Sequence, residues 1–487
     1  MHINRTTSPG WRIWVVIAAG TALLSACNVD HFLRSDDPDN TPPGILTGPS
    51  SLPGYRSNAL GDFGVAFDGN AGNPDGNEYE GLVNMTGLLT DELQNTETFP
   101  TRTEVDRRHT QINNATMRDI FFNAQAARQA GARASRAFAA FGASDPARSE
   151  VVSLQAYSVL LLAEDFCSGV PLSDIDSTSS ALIAGEPQTT QQLVTIAADT
   201  FTAAIALAAD DDRKFLAEIG KARTLQFQGR SHLGDAASLV VDIPTDWTYK
   251  IHHSKNSQRE WNGIFEFMWL EGRWVEADTE GTNGLRYRDD PRNPFSTAGG
   301  TFIGSDFFGT LRYNAEDSST VLASGIEARL IEAEAELQLG QSSNATTILN
   351  TLRTDGTFEL KGKDTTITND GEDTTITDHK FYHPGTGHVA DLAPIPDSGS
   401  AQFRQNILFR ERGQWLYLTA HRLPDLRRLS RSLANDGYGR DPESVFPTGN
   451  WYRGGAYGTD VNFPIPIEEL SNGNLHGGPL TCIDRDP

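Results

Sequence analysis

The stretch that decides the fold is Phe403–Leu429, FRQNILFRERGQWLYLTAHRLPDLRRL. It is rich in arginine and poor in acids, although the whole chain has a formal net charge of −24. Its apolar residues recur at helical spacing, and a proline disfavours helical geometry in the residue before it, so we predict a helix that ends at Pro424. Several arginines share a helix face with large apolar residues. We therefore expect these arginines to be half-buried and paired with acids.

The best partner for this stretch is Ile326–Gln341, IEARLIEAEAELQLGQ, in which glutamates outnumber the single arginine. Burying such charges without partners would cost several kcal/mol each in order of magnitude, so the two segments are expected to pack together. The alternative is two ordinary surface helices with solvated charged faces. The packing prediction assigns five residues to a structural ion-pair network: Glu327, Glu332, Arg412, Arg422 and Asp425.

Other helical patterns also come in pairs joined by short connections. The patterns are Thr116–Phe141 with Ala147–Phe166, Thr190–Ala209 with Phe215–Val240, and Ile326–Leu339 with Ala345–Arg353, followed by the arginine-rich stretch as far as Leu433. Small residues on facing sides allow such pairs to stack closely. The prediction is a mostly α protein with a tetratricopeptide-like scaffold of helical pairs at about 115–240, 324–353 and 403–433.

A different composition, at about 241–320, separates the second and third pairs. It is dense in aromatic residues with Gly, Asn and Asp between them. Alternation in Ile264–Val275 predicts extended segments or short strands. We expect a loop-rich second lobe whose aromatic residues form either a satellite core or a ligand site.

The N-terminus has the pattern of an export signal. Arg5 and Arg12 precede an apolar run that is too short to span a bilayer, and the run ends in LSAC at Cys27. We predict a lipoprotein signal peptide at 1–26, lipidation of Cys27, and a flexible tether at 27–53. The alternative is a secretory signal in which the cysteine is incidental.

The remaining segments of the 54–487 body are polar or irregular. Gly54–Glu80 is predicted to be a polar loop, since its acids and amides do not follow the EF-hand spacing. The insertion at about 357–398 contains DTTIT twice around Asp370–Gly371, which predicts a polar hairpin. Prolines in the segment 460–487 predict an extended strap over the helices.

Cys167 and Cys482 remain once Cys27 is assigned to lipid. An even pair in an exported protein is compatible with a disulfide that joins the chain end to the helical body. The alternative is two free thiols, because the sequence cannot show whether the two backbones approach within bonding distance.

Catalytic and metal-binding motifs are absent from the sequence: it has no HExxH, GxSxG, Walker-type loop or zinc-spaced Cys/His cluster. We therefore predict no catalytic residues, no metal and no cofactor, and keep a glycoside hydrolase as a lesser alternative. The acidic net charge argues against binding to nucleic acid.

A binding site for sugars needs exposed aromatic faces with polar side chains at the rim, as ligand pockets in general do. The run Arg273–Arg292, RWVEADTEGTNGLRYRDDPR, supplies that mixture. The ligand-binding candidates are Trp269, Trp274, Asp278, Asn283, Arg286 and Tyr287, with Tyr249 and Asp91 behind them. For each of these residues a structural role in a core, a turn or a local ion pair is the alternative.

Three segments together carry a family resemblance: EARLIEAEAEL, FRERGQWLYLTAHRLPDLRRL and, near the C-terminus, DVNFPIPIEELSNGNL. In this combination and order they resemble the SusD/RagB family of outer-membrane nutrient-binding lipoproteins. The resemblance implies a SusD-like fold whose ligand loops lie in the aromatic lobe. It also implies an exterior-facing, lipid-anchored position on the outer membrane, a SusC-like TonB-dependent transporter as partner, and a glycan or peptide as ligand. The alternative function is a surface scaffold for protein contacts.

Overall fold

The computed structural model describes residues 48–72, 79–175, 181–281, 284–355, 365–369, 372–376 and 392–471. The signal peptide, Cys27, most of the tether, Asn283 and Cys482 lie outside these ranges. The chain divides into two units, Met1–Ser51 and Leu52–Pro487. In the first unit, the described residues include a short helical turn at Pro49–Ser51. The second unit contains all the elements that follow.

Helices form most of the second unit. In chain order they are α1 Leu52–Asp68, α2 Leu82–Leu89, α3 Pro100–Asp106, α4 Ala115–Phe141, α5 Ala147–Asp165, α6 Thr190–Leu207, α7 Asp211–Gln228, α8 Leu233–Val240, α9 Gly263–Phe265, α10 Gly325–Gln338, α11 Ser342–Asp355, α12 Ala401–Trp415, α13 Arg422–Ser430 and α14 Ile467–Leu470. The prediction of a mostly α fold is confirmed. No helix among the described residues combines the length and the apolar character needed to cross a membrane.

The strands are short and lie in antiparallel pairs. They are β1 Gly69–Asn70 with β2 Tyr79–Glu80, β3 Leu93–Asn95 with β9 Trp274–Glu276, β4 Val170–Pro171 with β7 Pro187–Gln188, β5 Asp174–Ile175 with β6 Leu182–Ile183, β8 Thr248–Ile251 with β12 Thr320–Ser324, β10 Phe295–Ser296 with β11 Gly309–Thr310, and β13 Thr365–Asn369 with β14 Glu372–Ile376. The last pair is the hairpin that the DTTIT repeat predicts.

Consecutive helices pack against one another as the sequence pairs predicted: α4 on α5, α6 on α7, and α10 on α11. Gly131 shows why small residues matter at these contacts. A Cβ at Gly131 would lie 2.9 Å from the Cβ of Gln155, so the two helices approach as closely as a glycine allows.

The arginine-rich and glutamate-rich segments meet in the core. Arg428 of α13 donates to both carboxylate oxygens of Glu334 in α10, at 2.6 and 3.1 Å. His421 lies 2.9 Å from Glu327 of the same helix. All four side chains are buried. The two segments therefore pack through charged pairs as well as through apolar contact.

Asp425 joins the two arginine-bearing helices. It accepts from Arg412 of α12 at 2.7 Å and from Arg428 at 2.8 Å. Burial alone would raise the pKa of Asp425, but the two guanidiniums lower it below its usual range. The remaining predicted members have other partners, since Arg422 pairs with Glu280 at 2.7 Å and Glu332 with Arg329 at 3.0 Å.

The predicted single helix to Pro424 is wrong, because the chain forms two helices with a turn between them. Leu418 and Ala420 have positive φ angles of 51° and 58°. The side chains of Tyr313 and Arg223 donate to their carbonyls, at 2.8 Å in each case, which satisfies the turn. Pro424 lies in the first turn of α13, where a missing N–H breaks no helical hydrogen bond.

The predicted polar loop at Gly54–Glu80 is wrong for its first half, which belongs to α1. Phe63 and Phe67 are buried, and α1 packs on α4. Burial of this apolar face outweighs the unfavourable helix propensity of the glycines.

The predicted extended structure at Ile264–Val275 is wrong for its first half. Helix α9 continues into a π-helical turn at Glu266–Leu270, and only β9 is extended. Residues on every side of the π-helical turn are buried, so both the apolar and the polar positions of the alternating pattern lie in the core. The alternation therefore does not indicate a strand here.

The C-terminal segment runs over α5 as an extended strap at 460–466, but the predicted extended structure is wrong at Ile467–Leu470, which form the short helix α14. Phe463 donates to the carbonyl of Asp165 at 2.8 Å and accepts from the amide of Cys167 at 2.9 Å. Cys167 is disulfide-bonded. Since Cys482 lies outside the described residues, its pairing with Cys167 stays a prediction.

Candidate functional site

The predicted aromatic ligand residues lie inside the second lobe. Trp274 is 0% exposed and its ring packs on Phe267, while Trp269 is 4% exposed and packs edge-on against Phe307. Tyr287 is also buried and donates to Glu280 at 2.8 Å. These three rings present no face to solvent. All three are core residues, because each is covered by a neighbouring ring: Trp269 by Phe307, Trp274 by Phe267 and Tyr287 by Tyr417.

The polar candidates fall in two separate places. Asp278 and Arg286 form an exposed ion pair, with both carboxylate oxygens 2.9 Å from one nitrogen of Arg286. Tyr249 lies in β8 and donates to Glu150 of α5 at 2.9 Å, which places it on the helical scaffold. Asn283 lies outside the described residues.

Among the candidates, Asp91 contacts the loop 449–458. It is buried and accepts from the amide of Gly281 at 2.9 Å and from the hydroxyl of Tyr457 at 3.0 Å. Burial and the neighbouring carboxylate of Asp106 raise the pKa of Asp91 well above its usual range. Asp91 thus anchors one end of the loop 449–458.

Asp106 at the end of α3 anchors the middle of the same loop. One of its oxygens lies 2.6 Å from the indole nitrogen of Trp451 and 2.9 Å from the hydroxyl of Tyr452. That hydroxyl also lies 2.6 Å from the carbonyl of Asn95. A tyrosine hydroxyl has a single hydrogen, so donation to Asn95 requires Asp106 to be protonated and to donate in turn.

The pKa of Asp106 agrees with this geometry. Burial raises it to about 7, and the hydrogen bonds from Tyr452 and Trp451 offset burial only in part. Near neutral pH the proton on Asp106 therefore decides whether Tyr452 donates to Asn95 or to the carboxylate.

Four large side chains form an exposed surface around the segment 95–99. They are Phe99 (48% exposed), Phe302 (56%), Ile303 (41%) and Tyr452 (42%), and we call them the aromatic surface. The rings of Phe99 and Phe302 are 6.4 Å apart. The amide of Ile303 donates to the carbonyl of Thr96 at 3.1 Å, next to the Asn95 carbonyl that Tyr452 contacts. Three distant parts of the sequence thus meet here.

Two arginine side chains pack against the ring of Phe99. The guanidiniums of Arg102 and Arg273 lie 5.5 and 5.4 Å from its ring centroid. Both arginines pair with Glu97, at 3.2 and 3.1 Å, and each has a second carboxylate partner, Glu80 or Glu271. The positive charge under the ring is therefore neutralised within the protein.

The aromatic surface has the chemistry that a sugar site needs: flat apolar rings bordered by hydrogen-bonding groups. Sequence reasoning covered Phe302 only as part of the aromatic-dense region at about 241–320, and missed Phe99 and Tyr452. A signal was available in TETFPTR and GNWYRGGAYG, where aromatic residues stand in turn-forming sequence with no helical or strand period. Within the described residues, no group of three or more His, Cys, Asp or Glu is arranged to hold a metal ion.

The sequence matches no protein-family model and no curated protein. Solved structures do match. A SusD superfamily protein from Parabacteroides distasonis aligns over 88% of this chain and 98% of its own, with a TM-score of 0.61 at 14% identity. The protein has the SusD fold. A SusD superfamily protein from Bacteroides fragilis aligns over 89% of this chain and 100% of its own, with a TM-score of 0.57 at 13% identity.

A third SusD-like structure is described as a carbohydrate binding protein and comes from Bacteroides vulgatus. It aligns over 78% of this chain and 83% of its own, with a TM-score of 0.51 at 13% identity. The shared SusD fold therefore covers most of this chain.

Protonation of Asp106 predicts a pH dependence of stability. Because the folded pKa is raised to about 7, the neutral carboxyl contributes stability that is complete below the unfolded pKa and is lost as pH rises through 7. We expect the denaturation midpoint to fall between pH 5 and pH 8, and to fall less in Asp106→Asn. Urea unfolding at both pH values checks this. An unchanged pH dependence in the variant would contradict the assignment.

Gly272 positions the loop that carries Phe302. Its carbonyl accepts from the amide of Phe302 at 2.8 Å, its φ is +60°, and an added Cβ would lie 2.3 Å from the carbonyl oxygen of Gly300. We expect Gly272→Ala to destabilise the protein by more than the ~1–2 kcal/mol of a left-handed alanine. Gly304→Ala is the matched control, since Gly304 is also left-handed but has no neighbour within 4 Å. Equal losses of unfolding free energy would contradict the steric argument.

Proposed function

We propose that this protein is a lipid-anchored, surface-exposed outer-membrane protein that captures oligosaccharides on its aromatic surface and delivers them to a SusC-like TonB-dependent transporter. The observation that carries the proposal is the exposure of Phe99, Phe302, Ile303 and Tyr452 around one segment of a SusD fold. The description of the Bacteroides vulgatus structure as a carbohydrate binding protein supports it.

The anchoring part of the proposal rests on the N-terminal sequence. An apolar run ending in LSAC places Cys27 where a bacterial lipoprotein is cleaved and acylated, and multiple acyl chains give stable membrane attachment. Replacing Cys27 with Ser is expected to release the protein from the membrane fraction. Equal membrane retention of wild type and variant would contradict it.

The transporter is proposed to meet the outer side of α4. The β5–β6 strand pair lies along α4, where Arg136 donates to the carboxylate of Asp174 in β5 at 3.1 Å. The strand pair exposes Ile175 (43%), Leu182 (54%) and Ile183 (51%), an amount of apolar surface that fits an interface.

Co-purification tests the transporter contact. We expect the protein to emerge from detergent-solubilised outer membranes with a large β-barrel protein, and Leu182→Asp with Ile183→Asp to abolish that association. Both side chains are exposed, so the changes should leave the fold intact. A wild-type protein that repeatedly emerges alone would count against the proposal.

Binding and catalysis are separated by two assays on one protein. A panel of neutral and acidic oligosaccharides and of peptides, titrated against the full-length protein in detergent, tests capture. The same oligosaccharides are then inspected for new reducing ends. The proposal expects saturable binding to at least one sugar with no hydrolysis. Binding to peptides alone would replace sugar with peptide as the cargo, and release of new ends would favour a glycosidase.

A further inference from the structure

Two arginines border the aromatic surface beside Tyr452. The guanidinium carbons of Arg107 and Arg453 each lie 5.3 Å from the ring centroid of Trp451. Both side chains are half-buried. Contact with an indole ring holds a guanidinium in place and leaves its N–H groups free to bind in the plane of the fork.

These two arginines donate to neutral acceptors. Arg107 donates to the carbonyl of Ala456 at 3.3 Å, and Arg453 donates to the carbonyl of Glu97 at 2.5 Å. Neither makes an ion pair with any residue in the part of the chain that the structure describes. Each therefore keeps a full positive charge next to the exposed ring of Tyr452.

The nearby carboxylates are already engaged. Glu97 is bound by Arg102 and Arg273, and the oxygen of Asp106 that faces the loop is contacted by Trp451 and Tyr452. The chain has a net charge of −24, so positively charged side chains are in the minority. Among the described residues, these two guanidiniums have no carboxylate partner, and both lie beside the proposed ligand surface. Arginine forks bind carboxylate and phosphate groups through two parallel N–H···O bonds, and a sulfate group presents its oxygens in the same tetrahedral arrangement as phosphate.

We propose that Arg107 and Arg453 form an anion subsite that recognises the carboxylate or sulfate group of an acidic sugar whose ring packs on Tyr452. This inference rests on the proposed function, because it takes the aromatic surface to be the sugar site. It adds the class of sugar: glycans that contain uronic acids or sulfated residues, in preference to neutral glycans.

The test compares acidic sugars with neutral forms of the same length and linkage. The probes are tetragalacturonate and its carboxyl-reduced form, and a sulfated κ-carrageenan tetrasaccharide, which contains no uronic acid, and its desulfated form. All four are titrated calorimetrically against the full-length protein in detergent. A hydrogen-bonded charge contributes roughly 1.5–3 kcal/mol, so we expect at least one acidic probe to bind about 10-fold or more tightly than its neutral form. The uronic and sulfated pairs separate the two kinds of anion.

The variants assign that preference to the two arginines. Arg107→Gln and Arg453→Gln are each expected to remove most of the difference between the acidic and neutral forms. Arg410→Gln is the matched control, because Arg410 is exposed and its partner among the described residues is the carbonyl of Gly284, which is not part of the aromatic surface. If a Gln variant binds no sugar, the Arg453→Lys variant is titrated instead, because lysine keeps the positive charge. If Arg453→Lys still prefers the acidic forms, the subsite is supported. If the preference is lost, the subsite is contradicted.

Each other outcome overturns the inference. Equal affinity for acidic and neutral forms would remove the subsite while leaving sugar capture intact. A preference that Arg410→Gln reduces as much as Arg453→Gln would reflect general charge. If the wild type binds none of the four probes, the subsite fails, and the wider panel shows separately whether capture fails with it.

Discussion

Glu334→Ala is expected to lower the free energy of unfolding by about 3–5 kcal/mol, the usual loss when one partner of a buried ion pair is removed. Glu334 is buried in α10 and accepts from Arg428 through both oxygens. It also accepts from the amide of Gln226 at 2.6 Å and from the hydroxyl of Tyr438 at 2.6 Å. The variant would leave the buried Arg428 and Gln226 and the half-buried Tyr438 without that acceptor.

Glu336→Ala provides the control for this prediction. Glu336 lies on the same helix but is half-exposed, and it accepts from Asn344 at 2.9 Å. A surface contact of this kind contributes within about 1 kcal/mol. Denaturant unfolding followed by circular dichroism measures both variants. Equal shifts of the two midpoints would show that the contact between the arginine-rich and glutamate-rich segments does not hold the helices together.

Tyr452→Ala and Phe302→Ala are each expected to weaken sugar binding by about 30-fold. Central aromatic residues of a binding surface commonly contribute 2 kcal/mol or more. Both side chains are exposed, so their removal takes little packing from the core. The change in Phe302→Ala should therefore appear in affinity and leave the thermal unfolding midpoint nearly unchanged. Tyr452→Ala also removes the hydroxyl contacts with Asp106 and Asn95, so it is expected to lower that midpoint as well.

Phe141→Ala is the matched control for the aromatic surface. Phe141 is 43% exposed at the end of α4, so the variant removes a similar ring of similar exposure from another place. Calorimetric titration with the tightest sugar of the panel measures the three variants. Comparable losses in Phe141→Ala, or no loss in Tyr452→Ala, would contradict the assignment of the surface.

The helical scaffold could be predicted because its signals are local and repeated. The paired helices from α4 to α7 have regular apolar spacing over more than two turns each, and their predicted bounds agree with the structure to within a few residues for three of the four helices. The fourth prediction, a single helix at Phe215–Val240, is wrong, because α7 ends at Gln228 and the chain resumes a helix at Leu233 as α8. The meeting of α10 with α13 followed from an imbalance of charge, since arginines on an apolar face need acids from elsewhere.

The errors in the fold arose where tertiary contacts outweigh local preference. The sequence around Leu418 and Ala420 does not indicate that these residues take left-handed conformations. Their turn is stabilised by hydrogen bonds from Tyr313 and Arg223, which are distant in sequence. Helix α1 contains three glycines and few strong helix formers, and its apolar face becomes decisive only against α4.

The candidate site was the least predictable part, because exposure of an aromatic ring depends on what folds over it. Trp269 and Trp274 stand in aromatic sequence that resembles a binding surface, yet neighbouring rings cover them. Phe99 and Tyr452 are separated by more than 300 positions and meet only through the segment 95–99. Asp91 was the useful candidate, as it leads to the loop that carries Tyr452.

Hydrogen–deuterium exchange of the full-length protein, with and without the tightest-binding sugar of the panel, tests the central claim most directly. The claim is that captured sugar lies on the aromatic surface. We predict slower amide exchange in the segments 95–103, 300–304 and 449–458 when sugar is bound. Protection confined to 278–281 and 284–292, with these three segments unchanged, would contradict the account.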